Sequence, residues 1–102
     1  MQPNYVSISR FRVRNGMEQA VADAFRGRPH LVDDAPGFVR MDVLSPSEDA
    51  AEFWLVTYWS DEESFRTWHR SHEFRNSHSY MPKGLKLDAA FTELRSFRYV
   101  GS

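Results

Sequence analysis

Residues Tyr5 to Arg14 alternate in character. Tyr5, Ser7, Ser9, Phe11 and Val13 share one face of an extended chain, and Val6, Ile8, Arg10 and Arg12 share the other. That period of two predicts a first strand. Asn15-Gly16 is a turn signal. From Met17 to about Arg28 the period changes. Met17, Ala20, Val21, Ala24 and Phe25 fall at helical spacing, with Arg28 extending the stripe at its C-terminal end. Pro29 predicts the stop, because it lacks an amide hydrogen and clashes with the preceding turn. Asp33-Asp34-Ala35-Pro36-Gly37 reads as a loop, Phe38 to Leu44 as a second strand, and Ser45 to Asp49 as a polar turn. Glu52 to Trp59 is a third strand. It carries Phe53, Leu55, Thr57 and Trp59 on one face and Trp54, Val56 and Tyr58 on the other.

A second helical region follows. Ser60 with Glu63 reads as a capping box, and Phe65 and Trp68 lie three apart on one face. Ser71 can cap a second short helix in which Phe74 and His78 share a face. Ser79 to Asp88 reads as a loop with Pro82 and Gly84, and Ala89 to Val100 as the last strand. The order β-α-β-β-α-β, with the second helix broken, is the α+β ferredoxin-like pattern, expected to form one domain over residues 1–102. The third strand is apolar and aromatic on both faces, whereas a sheet with helices on one side should show water a polar face. A second copy of the sheet is the simplest cover, so a homodimer is expected.

Composition narrows the partners. The formal net charge of −1 gives no footprint for nucleic acid. With no cysteine, disulfides, thiolate metal sites, iron–sulfur clusters and cysteine nucleophiles are all excluded. No apolar run approaches the roughly 18 residues of a membrane span, and no apolar signal region follows Met1, so a cytoplasmic protein is expected. Aromatic residues make up 15% of the chain, more than a small core needs, which points to an apolar pocket or interface. No nucleophile elbow, phosphate loop or dinucleotide fingerprint is present.

Trp68 and His78 carry the most specific chemistry. Presented from two consecutive short helices, an indole and an imidazole can line one pocket. A neutral imidazole ligates haem iron well, and a flat indole suits a flat macrocycle. His69 and His72, three apart, read as solvent-facing. Asp33-Asp34 and Asp61-Glu62-Glu63 read as solvated charges, and Arg10, Arg12 and Arg14 as a row at a strand end or dimer edge.

Pro36-Gly37-Phe38 opening the second strand, followed by the run Phe53-Trp54-Leu55-Val56-Thr57-Tyr58-Trp59-Ser60-Asp61-Glu62-Glu63-Ser64-Phe65, resembles the antibiotic-biosynthesis-monooxygenase domain over nearly the whole chain. Within it the chain is similar to the IsdG-like haem-degrading monooxygenases. That resemblance implies a homodimeric α+β barrel in which each subunit holds one haem, as substrate and cofactor, between helices and sheet. It implies a catalytic set of His78 as iron ligand, Trp68 against the macrocycle, and Ser9 on the oxygen-binding side. In the family that last position is an asparagine, so the shorter hydroxyl of Ser9 is a departure. Phe25 and Arg28 match the family's Phe-x-x-Arg. Phe65, Phe25, Arg28, Trp68 and His78 form the implied haem-binding set, with Arg28, Arg26 or Arg75 facing a propionate. Dioxygen and electrons from an external reductant or reductase complete the expected reaction. A haem carrier with little turnover and a cofactor-independent quinol monooxygenase remain as alternatives on the same fold.

Overall fold

The computed structural model describes residues 2–71, 74 and 78–102. Strand β1 (Tyr5–Arg12) leads into helix α1 (Glu18–Arg26). A single 3-10 turn over Leu31–Asp34 precedes the hairpin of β2 (Phe38–Leu44) and β3 (Glu52–Trp59). Helix α2 (Glu62–His69) and strand β4 (Glu93–Arg98) follow. The sheet order is β2-β3-β1-β4, antiparallel throughout. This is the expected ferredoxin-like α+β arrangement. β1 is central and bonds to β3 along its whole length.

Local chemistry shifts several boundaries. α1 ends at Arg26 rather than Arg28: Gly27 caps it, its amide reaching the Asp23 carbonyl at 3.2 Å. Arg28 precedes a proline, a position that disfavours helical backbone, so it lies beyond the helix instead of extending its stripe. The first two residues of the expected loop, Asp33 and Asp34, wind with Leu31 and Val32 into the 3-10 turn. β4 is half the expected length because Asp88 folds residues 88–92 into a turn. Its carboxylate accepts the Ala90 amide and its carbonyl accepts the Phe91 amide, at 3.1 and 3.0 Å. Asp61, not Ser60, caps α2, accepting the Ser64 amide at 2.8 Å. Ser60 is still committed to the sheet end, donating its amide to the Gly37 carbonyl at 2.7 Å and accepting the Asn4 side chain at 3.0 Å. Residues 72, 73 and 75–77, which carry most of the expected second short helix, lie outside the described residues. Ser71 at its start does accept the Phe74 amide at 3.1 Å, as an N-cap hydroxyl would.

The helix-facing side of the sheet packs as two clusters. Phe11, Val13, Val21, Phe25 and Phe53 form the first, beneath α1. Tyr5, Val32, Trp59 and Trp68 form the second, beneath α2. The row of β1 side chains facing the helices explains the division. Tyr5 and Phe11 are large and sit one in each cluster, while Ser7 and Ser9 between them are too small to join the two. A bulge between Phe38 and Arg40 resets the pleat of β2, so that Phe38 faces Trp59 and Met41 also turns toward the helices.

The opposite face is mixed rather than uniformly apolar. Val6 and Val56 are buried there. Three guanidinium groups lie over aromatic rings: Arg40 over Tyr58 at 4.1 Å, Arg95 over Phe97 at 5.1 Å, and Arg10 over Trp54 at 5.6 Å. Such cation–π packing covers part of the aromatic surface with arginine stems. Arg12 leaves the expected arginine row to pair with Asp49 at 2.9 Å.

Gly37 joins β2 to the start of α2. Its φ of 82° is left-handed, and a Cβ built there would meet the Ser64 side chain and lie 2.7 Å from the Ser60 hydroxyl. Gly37→Ala is therefore expected to destabilise the protein by about 2–4 kcal/mol, combining left-handed strain with overpacking. A urea denaturation midpoint unchanged from that of the parent protein would refute this.

Candidate functional site

Between the two clusters lies a cleft of about 400 Å³, within the range of small-molecule sites. Its floor is the centre of the sheet, where Ser7, Ser9, Leu55 and Thr57 turn toward the helices. Its far wall is α2, which offers Phe65, Trp68 and His69 at the three- and four-residue spacing of one helical face. Its near wall is Phe25 from α1 with Tyr80, whose rings meet edge to face at 6.2 Å. The segment from Arg28 to Val32 closes one side. Ser9, Phe25, Arg28, Phe65, Trp68 and His78 thus line a single cavity, although β1, α1, α2 and the chain beyond α2 each supply some of them. Arg75, the third candidate for a propionate, lies outside the described residues. Arg26 is exposed and pairs with Asp23 on the surface of α1.

His78 stands against Phe74, ring centroids 5.0 Å apart and nearly perpendicular. His78 is exposed as a residue. Enough protein still surrounds the ring for burial to disfavour its cation, which holds the pKa below the ordinary imidazole value. The ring is therefore neutral at pH 7, the form that ligates a metal. Trp68 is buried and packs edge to face on Phe74 at 6.2 Å. The indole is therefore part of the core and of the cleft wall at once.

Arg28 is the cleft's main cationic feature. Its side chain is only 13% exposed, and it donates to Asp33 at 3.0 Å. The other Asp33 oxygen lies 3.2 Å from Nδ1 of His30. Asp33 is thus a counterion and not simply a solvated loop charge. Arg28 also lies near the Tyr80 phenol. Burial raises that phenol's pKa, and the guanidinium partly offsets the rise. The cleft is therefore charged and polar at its Arg28–Tyr80 end, with aromatic walls and a floor that carries hydroxyls across its middle.

Two histidines enter the site without a sequence signal. His69 is exposed, as expected, yet it also lines the cleft and packs at a tilt on Phe74 with ring centroids 4.4 Å apart. It shares the inner face of α2 with Phe65 at the four-residue spacing, and that face was legible only as far as the apolar residues. His72 lies outside the described residues. His30 lines the cleft at the turn between Pro29 and the 3-10 segment. Its φ of 60° makes it the left-handed non-glycine among the described residues, and nothing in the local sequence announces that turn. Among the described residues no cluster of three metal-ligating side chains occurs. Nor is any helix there long and apolar enough to cross a membrane.

Comparison with known proteins gives this geometry its context. A haem oxygenase (mycobilin-producing) of Mycobacterium tuberculosis is 30% identical over 63 residues, which span 62% of this chain and 60% of that protein. The aligned part is thus about three fifths of that relative's length. A haem oxygenase (staphylobilin-producing) of Staphylococcus saprophyticus is 25% identical over 87 residues, covering 83% of each chain. Two solved structures share the fold. One is a haem degrader of M. tuberculosis with two haems bound in its active site. It has a TM-score of 0.77 and 23% identity, over 96% of this chain and 97% of that one. The other is SnoaB, a cofactor-independent oxygenase of Streptomyces nogalater. It has a TM-score of 0.76 and 19% identity, over 99% and 97%. The model of the antibiotic biosynthesis monooxygenase family matches residues 4–80, three strands and both helices, and the chain belongs to that family.

Proposed function

We propose that this protein is a haem-degrading monooxygenase that takes haem into the cleft between sheet and helices, opens the porphyrin with dioxygen and an external reductant, and releases iron. One observation carries the reading. A neutral imidazole, a buried indole, an unengaged serine hydroxyl and a nearly buried guanidinium converge on one cavity from four parts of the chain. His78 binds the iron through a ring nitrogen. Trp68, with Phe65 and Phe25, walls the macrocycle. Ser9 offers its hydroxyl from the cleft floor, and Arg28 meets a carboxylate at the polar end. Haem supplies the oxidation chemistry; the protein supplies ligation, shape and hydrogen-bond donors. Relatives named as haem oxygenases at 25–30% identity support this reading. The hydroxyl at Ser9 favours a second one, a haem-binding carrier with little turnover, because it reaches less far than an amide. The likeness to SnoaB supports a third, in which a quinol-like substrate itself supplies electrons to oxygen.

The proposed assembly is a homodimer through the outer face of the sheet. Val6 and Val56 with Trp54, Tyr58 and Phe97 make an apolar centre there, framed by Arg10, Arg40 and Arg95. A buried Nε of Arg10 has no hydrogen-bond partner among the described residues, a cost that a partner surface can offset.

Haem titration of the apoprotein is expected to saturate at one haem per subunit with a histidine-ligated Soret band. Ascorbate in air, with catalase present, should then bleach that band. A saturable band that survives reductant would favour the carrier, and no saturable band would favour the quinol reading. His78→Ala is expected to change the spectrum and weaken binding at least tenfold, the loss typical of a metal-site residue; an unchanged spectrum would remove His78 from its role.

The pH dependence has a definite sign. Burial lowers the folded pKa of His78 below 6.5. As acid is added the unfolded chain takes up its proton first, so stability falls from about that pH until the folded ring protonates too. Haem affinity is expected to be flat above pH 6.5 and to drop through the lowered value. Titrations from about pH 5 to 8 on the parent protein and His78→Ala check this, since the variant should lose the dependence. For the dimer, sedimentation equilibrium should give two chains for the parent protein and one for Trp54→Asp. A monomeric parent protein would end that proposal.

A further inference from the structure

Five hydroxyl side chains stand on or beside the helix-facing side of the sheet around the cleft, and three are already engaged. Thr57 Oγ1 accepts the Trp59 indole N–H at 2.9 Å and lies 3.4 Å from the Ser7 carbonyl. Ser96 shares a hydrogen bond with the Tyr5 phenol at 2.6 Å. Thr92 donates to the Asp88 carbonyl at 3.3 Å. Ser7 and Ser9 remain, and neither hydroxyl makes a hydrogen bond among the described residues. Both line the cleft. Ser7 is only 3% exposed, the one buried polar residue among those described. Its Oγ is not sealed off, since the buried side-chain atom without a partner among the described residues is Arg10 Nε; the Ser7 hydroxyl still meets the cleft, where water or a guest can satisfy it. Ser7 stands between Thr57 on β3 and Ser96 on β4 in the ladder. Neither neighbouring hydroxyl is bonded to Ser7 Oγ, each being turned to another partner, so the cleft is the open side from which a partner comes.

We propose that Ser7 and Ser9 together form a two-point seat in the cleft floor for a water or a small anion, with Ser7 the deeper donor. The two stand on one face of a strand, about 7 Å apart along it, a gap that one water or a two- or three-atom ligand bridges when both side chains lean inward. A hydroxyl both donates and accepts, so the pair holds a water in the empty protein and turns both hydrogens toward an anion when one arrives. The seat's existence rests on this geometry alone. Its role opposite the iron rests on the haem reading above, where two short hydroxyls would take the place of one longer amide.

A high-resolution crystal structure of the apoprotein is expected to show an ordered water bonded to Ser7 Oγ and Ser9 Oγ, and Ser7→Ala should lose it. In the ferric haem complex, azide affinity should fall roughly 3- to 10-fold in Ser7→Ala, the loss of one hydrogen bond. Ser96→Ala, whose hydroxyl serves Tyr5, should leave it unchanged. Thermal melting of Ser7→Ala should match or exceed that of the parent protein, since no protein partner is stranded. Absence of the water from the parent apoprotein overturns the proposal, and so does unchanged azide affinity in Ser7→Ala. A protein that takes up no haem would refute the haem reading, while the apoprotein crystal would still decide the seat.

Discussion

The structure depends on a gap in one row of side chains. Protein interiors pack to near-crystalline density, and a row reading large, small, small, large cannot fill space evenly beneath two helices. On β1 that row is Tyr5, Ser7, Ser9 and Phe11. Each large residue gathers its own cluster, one beneath α1 and one beneath α2. The cleft is what remains between them. β1 is one of the two inner strands, hydrogen-bonded on both sides, so its backbone is held against closing the space.

The walls follow from that gap. α2 turns Phe65, Trp68 and His69 toward it because the start of the helix is fixed. Asp61 caps the first turn, and Gly37 lets β2 pass close to Ser64. The opposite wall is set by where α1 stops. Gly27 and Pro29 end the helix and free Arg28 to swing into the cleft, where Asp33 balances its charge. The uncompensated burial of that cation would be costly, so the ion pair and the 3-10 turn that carries Asp33 belong to the site as much as to the fold.

The two faces of the sheet divide the work. The inner face sorts large and small residues to make a cavity. The outer face mixes Val6, Val56 and aromatic rings with guanidinium groups that lie across them. Such a surface is neither bare core nor ordinary solvated face, which is why it suits a polar-rimmed contact between subunits. Haem degraders and a cofactor-independent oxygenase share this fold, so the fold supplies a cleft and individual side chains decide its chemistry.

Sequence alone determined the order of the strands and of the two main helices, the strand faces, and the strand and helix residues that pack between sheet and helices, because periods of two and of 3.6 are written directly in the chain. The likeness carried by Pro36-Gly37-Phe38 and by Phe53 to Phe65 also lay there, and it singled out His78, Trp68, Phe25 and Arg28. Only the tertiary structure decided what depended on contacts between distant segments. It engaged Thr57 and Ser96 elsewhere and left Ser7 without a partner. It turned His69 and His30 into the cleft, and it joined Arg28 to Asp33 across a left-handed turn. Helix ends moved by one or two residues because Gly27 and Asp61 competed successfully with neighbours that local pattern favoured equally. Hydrogen-bond satisfaction is settled over the whole fold at once, so no window of sequence records which hydroxyl is left for a guest.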